Sequence, residues 1–149
     1  MATEGHCLCE TVRYELDFQI EATSNCHCQF CRRAHGAAFV TTALVPTRAL
    51  RITAGEQSIA RHQGRYFCGT CGSRLFNRSD AYPDATSLVV TSLVKEPTMR
   101  PVAHLNIESK APWYEILDDC PQFASFPPEI EDAMRGATGK LVPPNSASR

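Results

Sequence analysis

Cys26-His27-Cys28-Gln29-Phe30-Cys31 places three thiols within six residues, and Arg32, Arg33 and His35 follow at once. Two more cysteine pairs flank this stretch at long range, Cys7-Leu8-Cys9 before it and Cys68-Gly69-Thr70-Cys71 after it. The outer pairs read as the two halves of one closed metal site. The central triad reads as a second site with a coordination position left open. A closed four-thiolate site holds a fold together, whereas three protein ligands and one exchangeable position suit chemistry.

Metal is preferred to disulfides for a compositional reason. The N-terminus, Met1 to His6, lacks the apolar stretch of a signal peptide, and no later run is long enough to span a bilayer. The expected compartment is the cytoplasm, where clustered cysteines more often hold metal or perform catalysis than cross-link. Cys26 and Cys28 are also too close along the chain to bridge comfortably. With 149 residues the chain can bury a core without cross-links. Its formal charge of −1, with acids and bases interspersed, offers no basic stripe for nucleic acid.

Outward from the triad, the sequence punctuates itself as short strands. Val12, Tyr14 and Leu16 alternate with polar neighbours across Thr11–Leu16, which is the period of a half-buried strand. Gln29–His35 can form one or two helical turns before Gly36 stops them. Ala37–Val45 reads as a buried strand ending at Pro46. Leu50–Thr53, Ser58–His62, Arg65–Cys68 and Arg74–Asn77 are shorter strands separated by Gly55, Gly64 and Gly72. Thr86–Val94 and Val102–Ile107 complete the set. The expected fold is mainly β, a folded sheet or sandwich of short antiparallel strands stapled by a four-cysteine zinc site, with few short helices. Only Glu129–Arg135 reads as a later helix, with Pro128 near its start. Residues 1–135 are expected to form a single domain and residues 136–149 a loose C-terminal tail.

Cys68-x-x-Cys71 followed by Gly72 has the form of a zinc knuckle, a tight turn that aims backbone amides at sulfur. Cys7 and Cys9 supply the other half. Of the remaining thiols, Cys120 either closes the triad site as a fourth ligand or stands apart, and a metal-free redox cluster is the other reading of the triad.

Together these residues carry a family resemblance. Gly5-His6-Cys7-Leu8-Cys9, then Cys26-His27-Cys28-x-x-Cys31-Arg32-Arg33, then Phe67-Cys68-Gly69-Thr70-Cys71-Gly72-Ser73, resemble the successive signatures of the glutathione-dependent formaldehyde-activating enzyme (GFA) family. His104 to Trp113, followed by Asp118-Asp119, is similar to its C-terminal signature. The sequence departs from the family at His6 and Glu10, where glycine is usual. The resemblance implies an Mss4-like fold, a structural zinc at Cys7, Cys9, Cys68 and Cys71, and a second zinc at Cys26, Cys28 and Cys31. It also implies a carbon–sulfur lyase-type reaction, joining glutathione and formaldehyde as S-hydroxymethylglutathione.

On this expectation the partners are a small-molecule thiol and an aldehyde, with neither nucleic acid nor membrane. Cys26, Cys28 and Cys31 are the catalytic candidates. Arg32 and Arg33 are candidates to clamp a carboxylate of a glutathione-like thiol. His35 and His104 are candidates for proton transfer, and Trp113 for a pocket wall. His27, between two ligands, is expected to turn away from the metal. A zinc-stabilised binding module without enzymatic activity and a thiol redox protein are the rival readings.

Overall fold

The computed structural model describes residues 2–136. Among them ten short strands form two sheets, with two helices. Strands β1 (Thr3–His6), β2 (Arg13–Leu16) and β5 (Leu50–Ala54) make a three-stranded antiparallel sheet in the order β1-β2-β5. The second sheet is built from β3 (Ser24–Cys26), β4 (Val40–Pro46), β6 (Ile59–His62), β7 (Arg65–Cys68), β8 (Arg74–Arg78), β9 (Ala85–Val89) and β10 (His104–Leu105). Its order is β10-β3-β4-β9-β8-β7-β6. All pairs are antiparallel except β10 with β3, which is parallel and departs from the antiparallel expectation.

Alternation along β4 explains the layering. Ala43 and Val45 point to one face, where they join Val12, Tyr14 and Leu16 of the small sheet and Leu75, Phe76 and Leu88 of the large one in the main core. Leu44 points to the other face, into a second cluster with Ala22, Ala85, Leu105, Ile130 and Ala133. The last two lie on helix α2 (Pro128–Gly136), so α2 covers the face of the large sheet that the small sheet leaves open. The sheets are also tied directly: Gly5 bridges Leu93, and the Val94 N–H donates to the Glu4 carbonyl at 2.9 Å. Glycine is required at Gly5 because a Cβ there would fall 2.1 Å from the Tyr14 ring.

Several sequence expectations shift. Thr86–Val94 divides into β9 and a 3-10 turn at Val90–Ser92, where Ser92 Oγ donates to the Val89 carbonyl and sits 2.6 Å from the buried Tyr14 hydroxyl. Val102–Ile107 contracts to the two residues of β10, because Asn106 takes a left-handed conformation (φ 57°) that ends the strand. The Ala37–Val45 strand begins only at Val40. The later helix spans Pro128–Gly136 rather than Glu129–Arg135. The expectation of a loose tail falls outside the described residues from 137 onward. No helix among the described residues is long and apolar enough to cross a membrane.

Candidate metal centre and cleft

The four outer cysteines converge as the spacing suggests. Cys7, Cys9, Cys68 and Cys71 bring their sulfurs within 4.8 Å of one another. Cys7 and Cys9 are 3.6 Å apart, and Cys9 and Cys68 are 3.8 Å apart. A tetrahedron with zinc–sulfur bonds of about 2.3 Å has edges of about 3.8 Å, so the donor set fits zinc. The turns hold these sulfurs locally. The Val12 N–H donates to Cys7 Sγ at 3.3 Å, and the Gly72 N–H closes the knuckle onto the Cys68 carbonyl at 2.8 Å. Gly72 has φ 78°, which a side chain would strain. Glu10 also takes a positive φ of 62° and is held by Arg13 at 2.7 Å.

The charge distribution in the quartet suits a cation. Hydrogen bonds from Ser73 draw the Cys71 thiol down to about 5, and Thr11 lowers Cys9. Burial pushes Cys7 up to about 11. Cys71 and Cys9 are therefore more easily ionised, while Cys7 needs a positive charge to give up its proton.

The triad is assembled differently. Cys26 ends β3, Cys28 is the N-cap of α1 (Gln29–His35), and Cys31 lies in the first turn. The Cys31 N–H donates to Cys28 Sγ at 3.3 Å, so the cap that starts the helix also fixes a candidate ligand. Asn106 Nδ2 donates to Cys26 Sγ at 3.3 Å. The three sulfurs lie within 4.8 Å of one another. Hydrogen bonds from Cys26 and Cys31 pull the Cys28 thiol down to about 2, while Cys28 pushes Cys26 up and Cys26, then Cys28, push Cys31 up. A single thiolate is thus stabilised by its two neighbours, and three thiolates require a metal.

Unlike the quartet, the triad opens onto a cleft of about 290 Å³. The register of the large sheet builds its floor. Leu105 pairs with Cys26, Ser24 with Thr42, Leu44 with Ser87, Ser87 with Asn77, and Asn77 with Arg65, and all of these residues line the cleft. Phe126, Ile130 and Met134 line it from in and around α2. Two features of sequence and geometry therefore coincide, a structural-type quartet and a triad facing a cavity.

The sequence profile of the GFA family, the glutathione-dependent formaldehyde-activating enzymes, matches residues 2–109. The chain belongs to that family. No curated protein gives a significant match. Among solved structures, the crystal structure of a Rhodobacter sphaeroides protein, a Northeast Structural Genomics target, is similar with a TM-score of 0.53 and 26% identity. The likeness covers 64% of this chain and 91% of that one.

The other candidates of this GFA-family chain are dispersed. Arg32 lies against its own helix start, with Nε 3.4 Å from the His27 carbonyl, and Arg33 is exposed on a separate groove. Neither lines the triad cleft; Arg65, which the sequence did not single out, does. Trp113 is 72% exposed and lines neither the triad cleft nor the groove that carries Arg33. His104 is 1% exposed and faces away from the cleft, its Nδ1 2.8 Å from His27 Nε2 and its Nε2 3.0 Å from Asp118. His27 does turn from the triad, packing beside Phe39, His104 and Tyr114. Burial above all lowers its imidazole to about 4. Cys120 joins neither cysteine cluster. It lies near His104 and Asp118, a third group with donor atoms within 4.8 Å, and its thiol donates to the Pro101 carbonyl at 3.1 Å. All eight cysteines are free of disulfides.

Proposed function

We propose that this GFA-family chain is a cytoplasmic zinc enzyme of carbon–sulfur lyase type, joining a small thiol to a small aldehyde and cleaving the adduct in reverse. The observation that carries this reading is the contrast between the two cysteine clusters: the quartet is complete with four sulfurs, while the triad faces a cleft. Cys7, Cys9, Cys68 and Cys71 would hold one zinc as a structural clamp, and Cys26, Cys28 and Cys31 a second. An Mss4-like kinship of the fold belongs to the same proposal.

Zinc at the triad supplies an acceptor that keeps a thiol ionised at neutral pH. The chain's own residues do the rest. The Cys28 cap and the Asn106 amide hold the triad sulfurs in place. Leu44, Leu105 and Ile130 give the cleft an apolar wall that keeps water from hydrating the aldehyde. Arg65 gives it a cation that orients an anionic group of the thiol. In the addition, the sulfur–carbon bond forms as the carbonyl π bond breaks, and the proton lost from sulfur ends on oxygen, so no oxidant is needed. Holding both reactants in one small cavity contributes much of the rate.

Native mass spectrometry of fresh protein with and without glutathione tests this reading. Two zincs per chain are expected, together with a thiol adduct that disappears in Cys28→Ser while one zinc remains. One zinc and no adduct in the unmodified protein would instead favour a zinc-stabilised binding module, and metal-free reactive thiols at the triad a redox protein.

A further inference from the structure

A second groove of about 570 Å³ lies beside the triad cleft, on the outer side of α1. The two cavities meet at Gln63 and Arg65, which line both. Arg33, Arg61, Arg65 and Arg74 line the groove, and neither it nor the cleft has a single Asp or Glu in its lining. Arg61 is paired at the rim with the exposed Asp80 at 3.8 Å, whereas Arg33, Arg65 and Arg74 have no ion-pair partner among the described residues. In a chain of formal charge −1, a groove with three unpaired guanidinium groups beside one paired at its rim is a concentrated positive field.

Two of the three unpaired arginines are also held in place. The Arg65 guanidinium lies 5.2 Å from the centre of the Phe30 ring, and that of Arg74 lies 4.5 Å from the centre of the Phe67 ring. Arg74 Nε donates to the Ala34 carbonyl at 3.0 Å. These contacts leave the remaining N–H groups of each fork available while reducing the ordering cost on binding. The field registers on His35 nearby, whose imidazole is lowered first by burial and then by Arg74 and Arg65.

We propose that the thiol used at the triad carries a phosphate at its far end, and that this groove binds it. The inference rests on the enzymatic reading above and narrows its substrate class. A γ-glutamyl end is zwitterionic, and its ammonium would find guanidinium groups and no carboxylate in the lining of either cavity. A phosphate end brings negative charge alone and suits arginine forks. Arg65, shared by both cavities, is the residue that joins the sulfur end of the substrate to its anionic end.

The test uses the zinc-loaded protein and three thiols: pantetheine, 4′-phosphopantetheine and glutathione, with inorganic pyrophosphate as a sulfur-free probe. By calorimetry, 4′-phosphopantetheine is expected to bind at least about tenfold tighter than pantetheine at low salt. In Arg33→Glu/Arg74→Glu that ratio is expected to fall to about one, with pantetheine binding unchanged. Equal affinities for the two thiols, or glutathione as the tightest of the three, would overturn the proposal. Pyrophosphate separates the groove from the triad: it is expected to bind Cys28→Ser as well as the unmodified protein, whatever becomes of thiol binding. Failure of pyrophosphate to bind either would overturn the groove while leaving the triad reading intact.

Discussion

At the residue scale, His27 shows how a polar side chain can be structural beside reactive neighbours. It lies between two candidate ligands, is 0% exposed, and leaves Nδ1 without a partner among the described residues. Because burial lowers its imidazole to about 4, the unfolded chain takes up a proton near pH 6.5 that the folded chain refuses. The resulting stability is fully present above about pH 6.5 and is lost as pH falls toward 4, by about 3 kcal/mol. Denaturant unfolding at pH 7 and pH 4.5, compared between the unmodified protein and His27→Gln, isolates this contribution, because acid loss of metal affects both. The expected result is a shallower pH dependence in His27→Gln. The direction of His27 was readable from sequence, since a residue between two ligands on an extended segment points the other way. Its partner was not. His104 reads as a candidate proton carrier, and only the parallel pairing of β10 with β3 brings it to His27.

At the element scale, the hairpin joining β6 and β7 turns on Gln63-Gly64, both with positive φ, 47° and 75°. Such a two-residue turn favours Asn-Gly, because a longer non-glycine side chain is strained in the left-handed region. Gln63→Asn is expected to stabilise the protein by about 0.5 kcal/mol, read as a small rise in Tm. A fall in Tm would mean that the Gln63 side chain makes contacts that outweigh its backbone strain. The same scale explains what the sequence concealed. β1 (Thr-Glu-Gly-His) and β3 (Ser-Asn-Cys) have no apolar alternation. β3 is nevertheless fully buried, because it lies between two neighbouring strands and Asn25 accepts from the Thr41 hydroxyl at 2.7 Å. Arg65 likewise looks like any charged strand residue until the register with Asn77 places it on the cleft.

At the scale of the whole molecule, the two cysteine clusters differ in what they connect. The quartet ties the loop after β1 to the turn after β7, whereas the triad lies within one short segment. Cys71→Ser is therefore expected to cost several kcal/mol and lower Tm by more than 10 °C, and Cys28→Ser to shift Tm by only a few degrees. Thermal unfolding of both variants in excess zinc checks this, and equal losses would contradict the division into clamp and open site. A weak chelator is expected to remove one zinc with little change in circular dichroism before a stronger one removes the second and unfolds the chain. The grouping of the thiols into a quartet and a triad was legible because cysteine spacing survives any ignorance of topology. The cleft was not, since its floor is drawn from six strands whose order cannot be read from spacing.

Cys9 and Cys68 are 59 positions apart. On a ribosome adding about 5–20 residues per second, the first half of the clamp is synthesised roughly 3–12 s before the second. Through that interval the nascent chain carries the thiols of Cys7, Cys9 and the triad with no completed quartet. Whichever zinc arrives first meets the triad before it can meet the clamp. Cells short of zinc would thus release a chain with its early cysteines uncovered, and yield of intact protein would follow metal supply during synthesis rather than metal added afterwards.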